Sequence, residues 1–215
     1  MMIKVRERLA KAEAAIQATK LILGRNSYTV DATTRLRTPL VIGLISQLIE
    51  HHEAMLLLIM KDMTGSAFAL ARSIVEGMYR GLWIDRGASD SEVDRFVEKD
   101  EIEIGMSAMA KAIDAVYDSG RSFSDLKRRS WDALNSYTHN GMLQLGRRFT
   151  KTEAKTAYTD AQRSEIMETV TTCILILIGS FLERRGLLKE RDEIDQLITA
   201  YGPLSRRLNM PQEAI

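Results

Sequence analysis

The sequence predicts an all-α protein, an antiparallel helical bundle of about five to seven helices. Three observations point there. Apolar residues recur at helical spacing through several long segments. No segment alternates with the two-residue period of a strand. Only 3 prolines and 6% aromatic residues among 215 argue against a β-sandwich. This length fits one helical domain, 1–215, with a helical N-terminal segment 1–23 and a loosely packed tail 201–215.

Ile3, Leu9, Ile16 and Leu23 are spaced for a first helix, with Lys, Arg and Glu between them. GRNSYTVDATT (24–34) reads as a loop. A second helix starts at Thr38-Pro39, with proline in the tolerant first turn, and runs to about Asp62. A third covers Thr64 to Arg86. Asp90 or Ser91 caps a fourth through Val97, and an acidic-apolar segment continues to about Asp118. DSGRSFSD (118–125) is a turn, followed by a helix through WDALNSY. RRFTKTEAKTAYTD (147–160) is a polar connection. Asp160 to Arg185 is the last long helix, closed by Gly186, and a short tail helix spans Glu190 to Ala200.

Lys+Arg 30 against Asp+Glu 29 is not the charge balance of a protein that coats nucleic acid. Cys173 lies in TVTTCILILIGSFL and reads as a buried small hydrophobe. No run reaches the ~18 uninterrupted apolar residues of a membrane span, and the N-terminus lacks a signal-peptide core. We expect a cytoplasmic protein with no membrane partner.

The third helix carries two patterns. Gly65, Ala69, Ser73, Gly77 and Gly81 recur every fourth residue, as if another helix packed close along them. Arg72, Glu76 and Arg80 share a neighbouring face and are the only charges between Asp62 and Asp85. Such charges either form a solvated strip or a paired polar seam beside a ligand. In an interior seam, Arg72→Ala would strand Glu76 and cost ~3–5 kcal/mol.

His51 and His52 sit in EHHE on the second helix, where one of the two must point inward. The chain has no Glu-x-x-His, His-x-x-Glu or HExxH, so we expect no metal and no other cofactor. His139 stands in LNSYTHNG, where Asn and Gly weaken the helix, with Lys127, Arg128, Arg129, Arg147 and Arg148 on either side. A histidine at a helix break near arginines suits acid–base work on a phosphate ester. It equally suits capping of the open backbone groups.

EHHEAMLLLIMKDMTGSAFALARSIVEGMYRGLWI (50–84), WDALNSYTHNGMLQLGRR (131–148) and the apolar helix after them resemble, in that order, an uncharacterised bacterial all-helical family across roughly 40–185. A more distant resemblance is to the HEPN helical proteins, many of them metal-independent ribonucleases of toxin–antitoxin and phage-defence systems. Asn135 and His139 match the Asn-x-x-x-His part of the HEPN motif. Leu134 stands where that motif has arginine, so the resemblance requires a cation from elsewhere: Arg72, Arg80 or one across a dimer interface.

Three functions follow as expectations. The first is a non-catalytic bundle acting through binding as a homodimer, with RNA or protein as partner, in defence or stress response. The second is an HEPN-like ribonuclease with His139, Asn135 and Arg72 as catalytic residues. The third is a small-ligand pocket at Arg72, Glu76, Tyr79 and His139. Glu76, Arg80, Tyr137 and Asn140 are the expected ligand-binding residues.

Overall fold

The computed structural model describes residues 3–28, 36–150, 153–154 and 156–201. Among them are nine α-helices and no strand: α1 Ile3–Gly24, α2 Arg37–Met60, α3 Thr64–Leu82, α4 Asp90–Lys99, α5 Met106–Val116, α6 Ser122–Thr138, α7 Met142–Gly146, α8 Asp160–Arg184 and α9 Leu188–Tyr201. The expected helices are present; α4 and α5 divide the stretch 90–118, and the short α7 had no counterpart in the sequence reading. Of the tail expected to be loosely packed, 202–215 lies outside the described residues.

α8 is the central post. Its residues Val170, Cys173, Ile174, Leu175, Leu177, Ile178 and Phe181 have no solvent exposure, because α1, α2, α3 and α9 surround it. Burial pushes the Cys173 thiol up to about 12, so it remains an inert apolar filler. By length and composition α2 and α8 could each cross a membrane, with mean hydropathy 1.3 and 1.7 over their most apolar windows. In α8, 78% of that window is buried inside the bundle, which accounts for its composition.

Helix ends follow local chemistry. Ser89 and Thr159 cap α4 and α8 as full capping boxes with Glu92 and Gln162. Of the histidine pair on α2, His52 points inward and is fully buried. The Thr171 hydroxyl donates to the Met167 carbonyl (2.7 Å), so His52 Nε2 donates to Thr171 Oγ1 at 2.8 Å. Desolvation lowers the His52 pKa to about 4, which keeps the ring neutral.

α3 leaves the α-helical register at its end and closes in a π-helical turn, Trp83–Gly87. This turn buries Asp85, which is 1% exposed. Arg185 Nη1 reaches Asp85 Oδ1 at 3.3 Å and its Nη2 donates to Thr38 Oγ1 at 2.8 Å. Arg37, from the start of α2, donates to the carbonyls of Ile84 (2.6 Å) and Ala88 (2.8 Å) and to Asp90. Arg37 thus satisfies the carbonyls that the widened turn leaves open, and Arg185 meets the carboxylate that it buries.

The small residues of α3 do not form one seam. Each four-residue step falls 40° beyond a full turn, so the row drifts by roughly 160° over its length. Gly77 faces Leu48 of α2, Gly81 faces Leu177 of α8, and Gly65 lies under the Arg148 side chain. Ser73, in the middle of the row, is exposed.

Candidate functional site

α3 and α6 pack antiparallel. Thr138 Oγ1 lies 3.4 Å from the Ala69 carbonyl near one end, and Tyr79 Oη donates to the Phe123 carbonyl (2.6 Å) near the other. This crossing lays the charged face of α3 beside the last turns of α6.

The end of α6 is built to stop. The His139 amide donates to the Asn135 carbonyl at 2.9 Å, and Asn140 takes the left-handed conformation, φ 55°. The Gly141 amide then donates back to the Ser136 carbonyl at 2.7 Å, closing a Schellman turn. A Cβ on Gly141 would come within 2.9 Å of Ser136 Cα, so the close return of the chain requires glycine. The turn leaves His139 at the helix end, with its side chain free to meet α3.

There, Arg72 Nη1 lies 2.5 Å from His139 Nε2. A guanidinium has no acceptor, so Nε2 must receive the bond and the imidazole is neutral, with its proton assigned to Nδ1. The arginine is held on two further sides. Its Nε is 3.5 Å from Glu76 Oε2, and its guanidinium carbon lies 5.1 Å from the centre of the Trp131 ring. Arg80 Nη2 donates to the other Glu76 oxygen at 2.6 Å. Arg72 and Glu76 side chains are 21% and 22% exposed, and Arg80 is 40% exposed. The result is a polar seam open along one edge, between the two arrangements that the sequence allowed.

This exposure revises the cost of losing Arg72. Glu76 keeps Arg80 and some water, so Arg72→Ala does not strand a buried charge. We expect a loss of about 1 kcal/mol in chemical denaturation, the sum of a half-screened pair and the indole contact. A loss of ~3 kcal/mol or more would mean that Glu76 depends on Arg72 alone.

Four of the expected residues therefore meet within one chain: Arg72, Glu76, Arg80 and His139. Asn135 lies one turn before His139, half-buried, and its Oδ1 has no hydrogen-bond partner. Asn140 is exposed and serves the turn. Tyr137 is not at the seam: its ring is buried in the core, edge-on to Phe68 at 4.8 Å. Two residues along a helix turn the side chain by ~200°, so Tyr137 and His139 must face opposite ways. Tyr79 is likewise wholly buried and its hydroxyl is spent on Phe123, which removes it from the expected pocket. Trp131 is the member that the sequence reading missed.

Beyond the turn, α7 is inverted for a surface helix. It buries Gln144, whose amide donates to the Gly65 carbonyl at 3.3 Å, and exposes Met142, Leu143 and Leu145. Phe149 follows at 61% exposure. This apolar cluster begins three residues after His139.

No curated protein and no solved structure matches the chain. A family profile does, over residues 45–188, from within α2 to the first residue of α9. The matched span holds all of α3, α6 and the joint between α6 and α7, and about two thirds of the sequence. The chain belongs to DUF6988, a family of unknown function.

Proposed function

We propose that the seam is a phosphodiester site and that the protein is a metal-independent, HEPN-like ribonuclease. The carrying observation is the 2.5 Å contact between Arg72 and His139. It joins the cation and the base that the motif around Asn135 needs, with Arg72 standing in for the arginine replaced by Leu134. The chemistry is a transesterification. His139 Nε2 takes the proton of a ribose 2′-hydroxyl, the 2′-oxygen attacks phosphorus, and the 5′-oxygen leaves, taking a proton from water. Arg72 neutralises the charge that grows on the phosphoryl oxygens. In the free protein Arg72 occupies the lone pair that His139 must use. An incoming phosphate draws the arginine to itself and releases the base.

The test is cleavage of a mixed single-stranded RNA pool in EDTA by the wild type, His139→Ala and Arg72→Ala. Activity in the wild type alone is expected, with each variant down by at least ~100-fold. Equal cleavage by wild type and His139→Ala, or none by a folded wild-type protein, would remove the reading.

The inverted α7 favours a second reading, a bundle that acts through association. An exposed apolar patch of this kind marks an interaction surface. We take its occupant to be a second copy of the chain, in the cytoplasm, in a defence or stress setting. Light-scattering mass at tens of micromolar should give a dimer, and Leu143→Glu should give a monomer. A monomeric wild type sinks this reading and leaves the chemistry of the seam untouched.

A further inference from the structure

We infer that the Arg72–His139 pair is a proton-linked oxyanion site, which takes up a sulfate- or phosphate-like anion and a proton together. The seam alone suffices for this site, whether or not the protein is a ribonuclease. In the free protein the contact demands a neutral imidazole, because Arg72 donates to Nε2 at 2.5 Å. Once Nε2 carries a proton, the two groups are a pair of donors and a pair of cations, and the contact cannot persist. An oxyanion placed between them reverses the balance. It accepts from the guanidinium on one side and from Nε2–H on the other, both charge-assisted bonds. Binding therefore favours the protonated ring, and by linkage protonation favours binding.

The surroundings suit this exchange. Arg72 can swing out without losing all support, since Trp131 lies 5.1 Å away and Glu76 at 3.5 Å. The charged groups on α3 beside the pair are Glu76 and Arg80, which pair with each other at 2.6 Å. On α6, Asp132 and Arg128 lie about two and three turns back from His139. α7, Met142–Gly146, contributes no titratable side chain. With the ring protonated, the two arginines and the imidazolium outweigh Glu76, and the seam is cationic. With the ring neutral, Glu76 offsets one arginine and the remaining one is engaged with His139. The site therefore gains anion affinity as His139 takes up a proton and loses it as that proton leaves.

Sulfate is the probe, because phosphate itself gains and loses a proton around neutral pH and would blur the proton count. Calorimetric titration with sodium sulfate, in two buffers of different ionisation enthalpy, reads both affinity and protons. As pH rises Kd should rise, by at most about tenfold per pH unit, with up to about one proton taken up per sulfate. His139→Gln should bind weakly, with no pH dependence and no proton uptake. Glu76→Gln should bind more tightly at every pH. Sulfate affinity in the wild type that does not change with pH overturns the inference. So does absence of binding by a folded protein, or proton uptake that survives His139→Gln. Proton-linked binding without RNA cleavage removes only the ribonuclease reading. RNA cleavage with pH-independent sulfate affinity removes only this inference.

Discussion

Gly77→Leu should be among the most damaging single substitutions in the chain, shifting the urea midpoint sharply or preventing folding. A Cβ at this position would sit 2.5 Å from Leu48 Cδ2, with Cγ and Cδ1 at 3.3 and 3.4 Å. Leu48 is 1% exposed, so it cannot swing out to solvent. The remaining leucine carbons would then have to wedge α2 away from α3. Overpacking of a tight core typically costs 1–3 kcal/mol, and a helix–helix contact this close belongs at or above the top of that range. Gly77→Ala gives the graded control. It gains up to ~1 kcal/mol of helix propensity while meeting the same first contact, so a much smaller loss is expected. An unchanged midpoint for the leucine variant would show that α2 and α3 do not approach here.

Arg185→Ala should be comparably severe, for an electrostatic reason. The arginine sits between the start of α2, the π-helical turn and the end of α8. Its loss takes the 3.3 Å partner of Asp85 and leaves Arg184 at 3.9 Å as the nearest cation on α8. It also removes the bond to Thr38 and the stack over the Phe181 ring, 3.5 Å from its centre. Breaking a buried pair on one side costs ~3–5 kcal/mol. The pH dependence gives the check. Burial holds the Asp85 carboxyl above its usual range despite Arg185, Arg184 and Arg86, and Arg185 is the largest lowering influence. A folded pKa above the unfolded value means that protonation of Asp85 stabilises the fold below the unfolded pKa, and that this stability is lost as pH rises through the folded pKa. Without Arg185 the folded pKa rises further. The deficit of the variant should therefore be largest near neutral pH and shrink on acidification. A deficit that grows on acidification would contradict this account of Asp85.

How much of this was legible in the sequence depends on the range of the signal. α2, α3 and α8 announce themselves through long helical periodicity, and the common face of Arg72, Glu76 and Arg80 follows from spacing alone. His139 at a helix end follows from Asn140-Gly141. The inward turn of Tyr137 was also available, since it must oppose His139 on one helix. Other features had no local trace. Asp85 and Arg185 are 100 residues apart, and nothing near either names the other. Trp131 meets Arg72 only because α3 and α6 cross antiparallel at that height. α7 has five residues, too few for a periodicity to appear, and its pattern is reversed. The row of small side chains at four-residue spacing misled because regular spacing on a helix is not a straight line along it.

The closure of α6 has a consequence for how the site is lost. Arg72 lies on a helix deep in the bundle, while His139 hangs on one Schellman turn, followed by a short helix with little buried surface. Opening of that turn needs no global unfolding, since it breaks the hydrogen bond from the Gly141 amide to the Ser136 carbonyl and lets the last turn of α6 fray. The amides of Gly141, Leu143 and Gln144 should then exchange with solvent deuterium far sooner than those of α8. An anion bridging Arg72 and His139 ties this edge to the core, so it should slow exchange at the turn while leaving α8 unchanged. Occupancy would be recorded first as local order at residues 139–144.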